Sequence, residues 1–411
     1  MQRKSWLKFD PWLLATAFAL VCYGLLVIRS ATMLADQPVS RQLLSQAVYA
    51  GVGVVVMFAV ASLDYRVLGA LWIALYLGMV GLLGVVLVAG QTIYGAQRWL
   101  AIGPVSFQPS ELAKVVVIIC LARFLASRGD EGRSLKSLAL SFIIVAVPAA
   151  LVYRQPDLGT ALVMLAIWLG MVFVAGAPLK WLGAVIAVPF FAFPLIWRVM
   201  HGYMQRRLLI FLSPERDPFG EGYNVIQARI SVGSGGWWGR GLGNGTQTQL
   251  NFLKVQHSDF IFAVLAEELG FIGALALFAL FGALFWRCLK VGQRSRDTFG
   301  RLLAAGVVSM MLFQLFVNVG MNIGLAPVTG IPLPFISAGG SSLLGLFACL
   351  GILQSVLIHS QARRYDTQPS VSVPASIRIR RERFPLRWVT GRMGRAAAWR
   401  PARGARTGSH R

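Results

Sequence analysis

The run Gln256-His257-Ser258-Asp259-Phe260-Ile261-Phe262-Ala263-Val264-Leu265-Ala266-Glu267-Glu268-Leu269-Gly270 places one carboxylate, Asp259, at the mouth of an apolar segment, directly after a long polar stretch. Ionisable groups are costly at a water–lipid boundary, and those kept there are more often functional than accidental. A carboxylate in this place can act as a general base. It can also cap the helix that starts near Phe260. The residues alone leave both readings open. Glu267 and Glu268 follow two turns later, and at least one of them needs an internal polar partner.

Four further clusters carry chemistry. In Tyr94–Lys114, Pro109-Ser110 reads as a helix start, which puts Glu111 and Lys114 three apart on one face, spaced to pair. That pair is either an ionic group in a substrate cavity or a lock between helices. In Arg154-Gln155-Pro156-Asp157-Leu158-Gly159-Thr160-Ala161, a tight turn lets Asp157 cap the next helix. The stretch Gly233–Gly245 holds seven glycines in thirteen residues, which permits positive φ and close backbone approach. Backbone N–H groups there, helped by Arg240 and followed by Gln247, could hold an anion such as a diphosphate, or the loop could simply turn. Finally, Asn318–Ser342 is rich in Gly and Pro between apolar runs and reads as a re-entrant or cavity-lining segment, or else as a rigid packed turn, that ends in Ser341-Ser342.

The elements that must position these groups are membrane helices. The chain is 56% hydrophobic and 13% charged, against about 25% charged in soluble domains. Its mean hydropathy is +0.65. Apolar runs of bilayer-spanning length recur, and no β-barrel alternation is present. The fold class is an all-α polytopic membrane protein with about ten transmembrane helices, at roughly 11–29, 43–62, 67–89, 110–126, 137–153, 158–175, 179–198, 260–286, 300–322 and 337–358. The first run exceeds a signal-peptide core and reads as a retained span. A long extracellular loop of about 199–258 joins helices 7 and 8, with a short interfacial helix expected at Tyr223–Ile230. Arg and Lys gather in the loops on the N-terminal side (Lys8, Arg66, Lys136, Lys180, Arg287, Arg294), so both termini are expected in the cytoplasm. Cys22, Cys120, Cys288 and Cys349 lie in apolar runs and imply no disulfide framework. The domain reading is 1–362 for the membrane part and 363–411 for a basic tail, expected to be disordered. The tail has 13 Arg against Asp366 and Glu382, or +11 of the chain's +23. Such a tail suits anionic membrane lipid, and no nucleic-acid motif accompanies it.

These clusters, in this order across ten spans, resemble the SEDS family, the shape, elongation, division and sporulation proteins of RodA and FtsW type. The resemblance covers about Trp12–His359, and Thr329-Gly330-Ile331-Pro332-Leu333-Pro334-Phe335 is closer to the RodA type. Two positions depart from the family pattern: Lys254-Val255 stands where Pro-Glu is usual, and Ala338 where Tyr is frequent. The resemblance implies a peptidoglycan glycosyltransferase in the cytoplasmic membrane. Such an enzyme polymerises lipid II on the outer face and works with a class B penicillin-binding protein. The family's essential acid maps to Asp259 within His257-Ser258-Asp259-Phe260. Glu111 and Lys114 map near the central cavity, and Arg206-Arg207 to a basic outer-loop segment.

The implied chemistry asks for one base and one cationic clamp. Asp259 would take the proton of the acceptor hydroxyl. Arg207, Arg240 or a divalent cation (Mg or Mn) would neutralise the leaving diphosphate. No organic cofactor is expected. A lipid-precursor transporter or flippase, or a scaffold for the penicillin-binding protein, fits the same helices, although no repeat symmetry of the transporter kind is visible.

Overall fold

The computed structural model describes residues 6–32, 40–93, 96–102, 105–129, 134–200, 202–217, 220–250, 252–253 and 257–359. The basic tail and the Lys254-Val255 departure lie outside the described residues. Among the described residues seven helices are long and apolar enough to cross a membrane: α1 (Pro11–Ala31), α2 (Arg41–Ser62), α4 (Trp72–Ala89), α6 (Leu135–Arg154), α13 (Ile261–Arg294), α14 (Thr298–Asn322) and α15 (Gly340–His359). A short α3 (Tyr65–Ala70) precedes α4. Two more of the expected spans are α5 (Pro109–Arg128), whose charges lower its hydropathy, and α7 (Leu158–Val174), which is shorter.

The expected span at 179–198 is not one helix. It divides into α8 (Leu179–Phe191) and α9 (Phe193–Val199), where Pro194 opens the second segment and cannot continue the hydrogen bonding of the first. The expected outer loop is mostly helical: α10 (Gly202–Leu212), α11 (Glu221–Ser234) and the single turn α12 (Thr246–Gln249). α11 contains the predicted Tyr223–Ile230 helix and extends it at both ends. A small antiparallel meander, β1 (Gln91–Ile93), β2 (Ala96–Ile102) and β3 (Val105–Phe107), joins α4 to α5, with Gln91 opposite Trp99 and Ile102 opposite Val105. β1 and β3 have three residues each, too few for alternation to stand out in the sequence.

Three of the main helix pairs are distant in sequence, α2 on α15, α1 on α13 and α14 on α7, and α13 also packs on its chain neighbour α14. α14 and α15 form the centre, and their Leu303, Met311, Phe347, Leu350 and Leu353 are fully or almost fully buried. Small residues set the closest approaches, as expected where helices associate in lipid by van der Waals fit. Gly24 of α1 lies against the backbone of the 323–339 connection, and a Cβ there would stand 2.8 Å from Ile336 Cα and 2.9 Å from the Phe335 carbonyl oxygen.

Neither of those contacts can swing away as a side chain could. Gly24→Ala is therefore expected to destabilise the protein by about 1–3 kcal/mol and to lower its melting temperature in detergent, whereas Gly81→Ala, which meets nothing within 4 Å, leaves it unchanged.

Candidate functional site

The site forms where α13 begins. The helix starts at Ile261, and the cap position, Phe260, makes no side-chain capping bond. The cap comes from another helix. Asn322 of α14 accepts the Ala263 N–H through Oδ1 at 3.2 Å and donates through Nδ2 to the Asp259 carbonyl at 3.1 Å. One turn earlier, Asn318 donates to the same carbonyl at 3.3 Å and to the Ile331 carbonyl at 2.8 Å. The capping alternative for Asp259 is thereby corrected: its backbone is held from α14, and its carboxylate is released from the helix.

The flanking residues are pinned in the same manner. The Ser337 hydroxyl donates to the Ser258 carbonyl at 2.7 Å and accepts from Leu333 N–H at 2.8 Å, while Ala338 N–H donates to the His257 carbonyl at 2.9 Å. Gln46, buried in α2, holds both sides of the turn. Its Nε2 donates to the Ser337 carbonyl at 3.1 Å, and its Oε1 accepts from Gly339 N–H at 3.0 Å. The 323–339 connection is thus an irregular segment whose backbone is held by hydrogen bonds to α2, α14 and residues 257–258. Phe335, at φ +63°, adopts a conformation rare for a bulky residue, and its ring is buried edge-on against Phe347.

The Asp259 carboxylate is partly exposed. Among the described residues it has one hydrogen bond, from the Ser258 hydroxyl to Oδ1 at 3.1 Å. Desolvation raises its pKa above the ordinary 3.8; the Ser258 bond and the charges of Arg207, His257 and Arg98 oppose the rise. His257 is shifted downward by burial, against the pull of Asp259. Arg207 reaches the site from α10, with its guanidinium 4.5 Å from the Tyr203 ring centre. Arg98 on β2 donates through Nε to the Gln155 carbonyl at 3.0 Å and through a second nitrogen to the Pro156 carbonyl; a third lies 4.0 Å from Asp157. Beside them a slot of about 30 Å³ is lined by Pro156, Tyr203, Arg207, Pro327 and Thr329. A carboxylate within electrostatic range of two guanidinium groups can accept a proton while the cations favour an anionic group nearby.

The other expected residues fall into separate places. Asp157 caps α7, accepting from Thr160 N–H at 3.1 Å, and takes a bond from Gln108 Nε2 at 3.3 Å. Ser341 accepts from Gln108 N–H at 3.1 Å, which ties the head of α15 to the head of α5. Glu111 and Lys114 form a buried ion pair at 2.8 Å, and Ser342 lines the same seam with Gln314. Arg240 and Gln247 are brought to Glu267 instead of Asp259. Both donate a backbone N–H to it, Arg240 to the carbonyl at 3.0 Å and Gln247 to Oε1 at 2.9 Å. Both expected acids have partners: Glu267 also accepts from the Thr248 hydroxyl at 2.9 Å, and Glu268 from the Ser30 hydroxyl at 2.6 Å.

The glycine stretch approaches protein backbone. At Gly270 (φ +66°) α13 loses its regular turn, which strips the Phe271 and Ile272 N–H groups and the Glu267 and Glu268 carbonyls of their helical partners. Residues 236–241 replace all four. Phe271 and Ile272 donate to the Gly236 and Trp237 carbonyls at 2.9 and 3.1 Å, while Arg240 and Gly241 donate to Glu267 and Glu268 at 3.0 and 2.9 Å. A Cβ on Gly235 or Gly239 would collide with the Ala266 or Glu268 carbonyl. Gln46, Gln108, Asn318 and Asn322 were not singled out from the sequence. Their signal was available: amides at or inside apolar helices need protein partners.

Comparison with known proteins follows the same arrangement. The family profile described as "Cell cycle protein", covering FtsW, RodA and SpoVE, matches residues 11–362. The chain is 40% identical over 351 residues to the peptidoglycan glycosyltransferase MrdB of Escherichia coli (strain K12), covering 85% of this chain and 94% of that one. It is 34% identical to the peptidoglycan glycosyltransferase RodA of Treponema pallidum (strain Nichols), over 85% and 97% of the two chains. Among solved structures, a peptidoglycan synthase complex coordinating polymerization and crosslinking superposes with TM-score 0.74 at 35% identity, over 87% of this chain and 99% of that one. The Thermus thermophilus rod shape determining protein RodA gives TM-score 0.65 at 32% identity, with the same coverage.

A raised carboxylate pKa has a cost for folding. The ionised form weakens the native state in full above the folded pKa, and not at all below the unfolded value near 3.8. Asp259→Asn is therefore expected to melt higher than wild type at neutral pH, with the difference vanishing as pH falls below about 4. Asn322→Leu, which removes the cap from α14, should melt lower at every pH, by about 1 kcal/mol or more. Thermal melts of both variants across pH check this pair.

Proposed function

The chain belongs to the FtsW, RodA and SpoVE family of cell cycle proteins, and we infer that it is a peptidoglycan glycosyltransferase of the cell membrane. The observation that carries the mechanism is the Asp259 carboxylate, which makes no capping bond to α13 and lies within electrostatic range of Arg207 and Arg98. The substrate is lipid II, and the residues named do the following. Asp259 accepts the proton of the acceptor sugar hydroxyl as that oxygen attacks the anomeric carbon. The bond to the diphosphate breaks, and the undecaprenyl diphosphate leaves as an anion beside the guanidinium groups. A diphosphate needs no acid to protonate it, so one carboxylate suffices, unlike the pair used by most glycosidases. A single displacement inverts the anomeric carbon.

The slot of about 30 Å³ beside Arg207, between α10 and Pro327–Thr329, is too small for a disaccharide. Among the described residues no three His, Cys, Asp or Glu cluster as a metal set. Asp259 is the residue here that would hold a divalent cation, which would supply positive charge to the leaving diphosphate. Positive charge at the opposite helix ends supports an outer-facing Asp259 with both termini in the cytoplasm. Residues 1–362 carry the transferase, and 363–411 form a basic tail for anionic lipid. The partner is a class B penicillin-binding protein, supported by the likeness to a synthase complex that couples polymerization to crosslinking. The likeness to MrdB and to RodA supports a role in cell-wall elongation.

Glycan formation from purified lipid II, with partner and Mg²⁺ present, tests the reading. Wild type should polymerise, and Asp259→Asn should lose about 10²–10⁴-fold in rate while remaining folded and partner-bound. The wild-type rate should fall as pH drops through the raised Asp259 pKa, at a pH above the ordinary carboxylate range. An active, folded Asp259→Asn would refute the base; no polymer from wild type would favour lipid II translocation or scaffolding.

A further inference from the structure

At the end of the bundle away from Asp259 lies a pocket of about 480 Å³, far larger than the slot at the candidate site. It forms where the 3₁₀ turn Trp6–Lys8 folds against the last turns of α13 and the start of its link to α14. Its charged lining is Lys8, Arg287, Arg294 and Arg296 against one carboxylate, Asp10.

That carboxylate is already occupied. Asp10 Oδ1 caps α1, accepting from Trp12 and Leu13 N–H at 3.1 and 3.2 Å, and Oδ2 pairs with Arg287. Gln354 of α15 clamps the Asp10 backbone from both sides, at 2.9 and 2.8 Å. The next nearest acid in sequence, Asp297, is taken up by Tyr65, Ser295 and the head of α14. Arg294 and Arg296 have no carboxylate partner among the described residues. Lys8 sits close enough to Arg296 that their repulsion adds to burial in lowering the ammonium pKa. Such crowding of like charges around a cavity is relieved by an anion.

The rim identifies the kind of anion. Leu7 lines the pocket and is 83% exposed, and Trp12 beside it is 66% exposed. Exposed tryptophan and leucine beside basic residues mark the level where headgroups meet acyl chains. A soluble anion gains nothing from this apolar rim, whereas a lipid phosphate fills the cationic floor and lays its chains along it.

We propose that the Lys8–Arg287–Arg294–Arg296 pocket is a binding site for the phosphate headgroup of an anionic phospholipid, which clamps the start of α1 to the end of α13. This reading does not depend on the transferase chemistry.

The test uses the full chain in detergent, with native mass spectrometry and thermal melts in the presence of phosphatidylglycerol, phosphatidylcholine or inorganic phosphate. Wild type should retain phosphatidylglycerol over phosphatidylcholine and melt higher with it. Lys8→Gln/Arg294→Gln/Arg296→Gln should weaken that retention by about fivefold per charge removed. The charge-preserving Lys8→Arg/Arg294→Lys/Arg296→Lys should bind as wild type does. The tail is present in every form, so differences between them report the pocket. Should the triple variant not fold, Arg296→Gln alone should show the fivefold loss. Equal retention of both lipids, or unchanged retention by the Gln variants, overturns the site. Displacement of phosphatidylglycerol by millimolar inorganic phosphate would make it a soluble-anion site and overturn the lipid assignment.

Discussion

Backbone N–H and C=O groups that lie at membrane depth must find partners inside the protein, because lipid offers none. Two interruptions in this chain depend on that constraint, and both bear on the region around Asp259. One is the break in α13 at Gly270, where the loop 236–241 supplies all four missing hydrogen bonds. The other is the irregular 323–339 connection, which is satisfied by Gln46, Asn318, Ser337 and the backbone of 257–259. Each interruption is matched by a segment distant in sequence, so helices and loops can reach their places only together.

The same bonds give the carboxylate its setting. Every backbone carbonyl from His257 to Asp259 is held by α14 or by the connection after it, which leaves the Asp259 side chain as the group not committed to structure. Desolvation raises its pKa, and nearby cations oppose that rise without forming a close ion pair among the described residues. A closer pair would neutralise the carboxylate and weaken it as a base. Glu267 and Glu268 show the opposite arrangement: both are buried and hydrogen-bonded to distant segments, and they anchor the glycine loop and α1 to α13. Three acids on one stretch of chain therefore have different roles, set by what surrounds each.

α1 and α13 run through the whole arrangement. Gly24 of α1 meets the connection that pins the site, Ser30 binds Glu268, and Asp10 at the far end pairs with Arg287. The pair is thus held by polar contacts near both ends, and at the edge of the site α10 lines a narrow slot with Pro327 and Thr329.

Composition alone determined the membrane class, because a chain this apolar and this poor in charge cannot remain in water. Spacing alone gave the Glu111–Lys114 pair, the Asp157 cap and the start of α5, since each depends on residues within one or two turns. The sequence also pointed to Asp259, through the cost of a charge at that boundary and through the resemblance that the family match supports. What tertiary structure decided was everything requiring a partner far along the chain. The cap of α13 comes from Asn322, the glycine loop serves the break at Gly270, and Arg240 and Gln247 settle on Glu267. A local pattern fixes which backbone groups will lack partners. Only the packed fold determines which distant residue is close enough to supply them, and so which polar side chain is left over for chemistry.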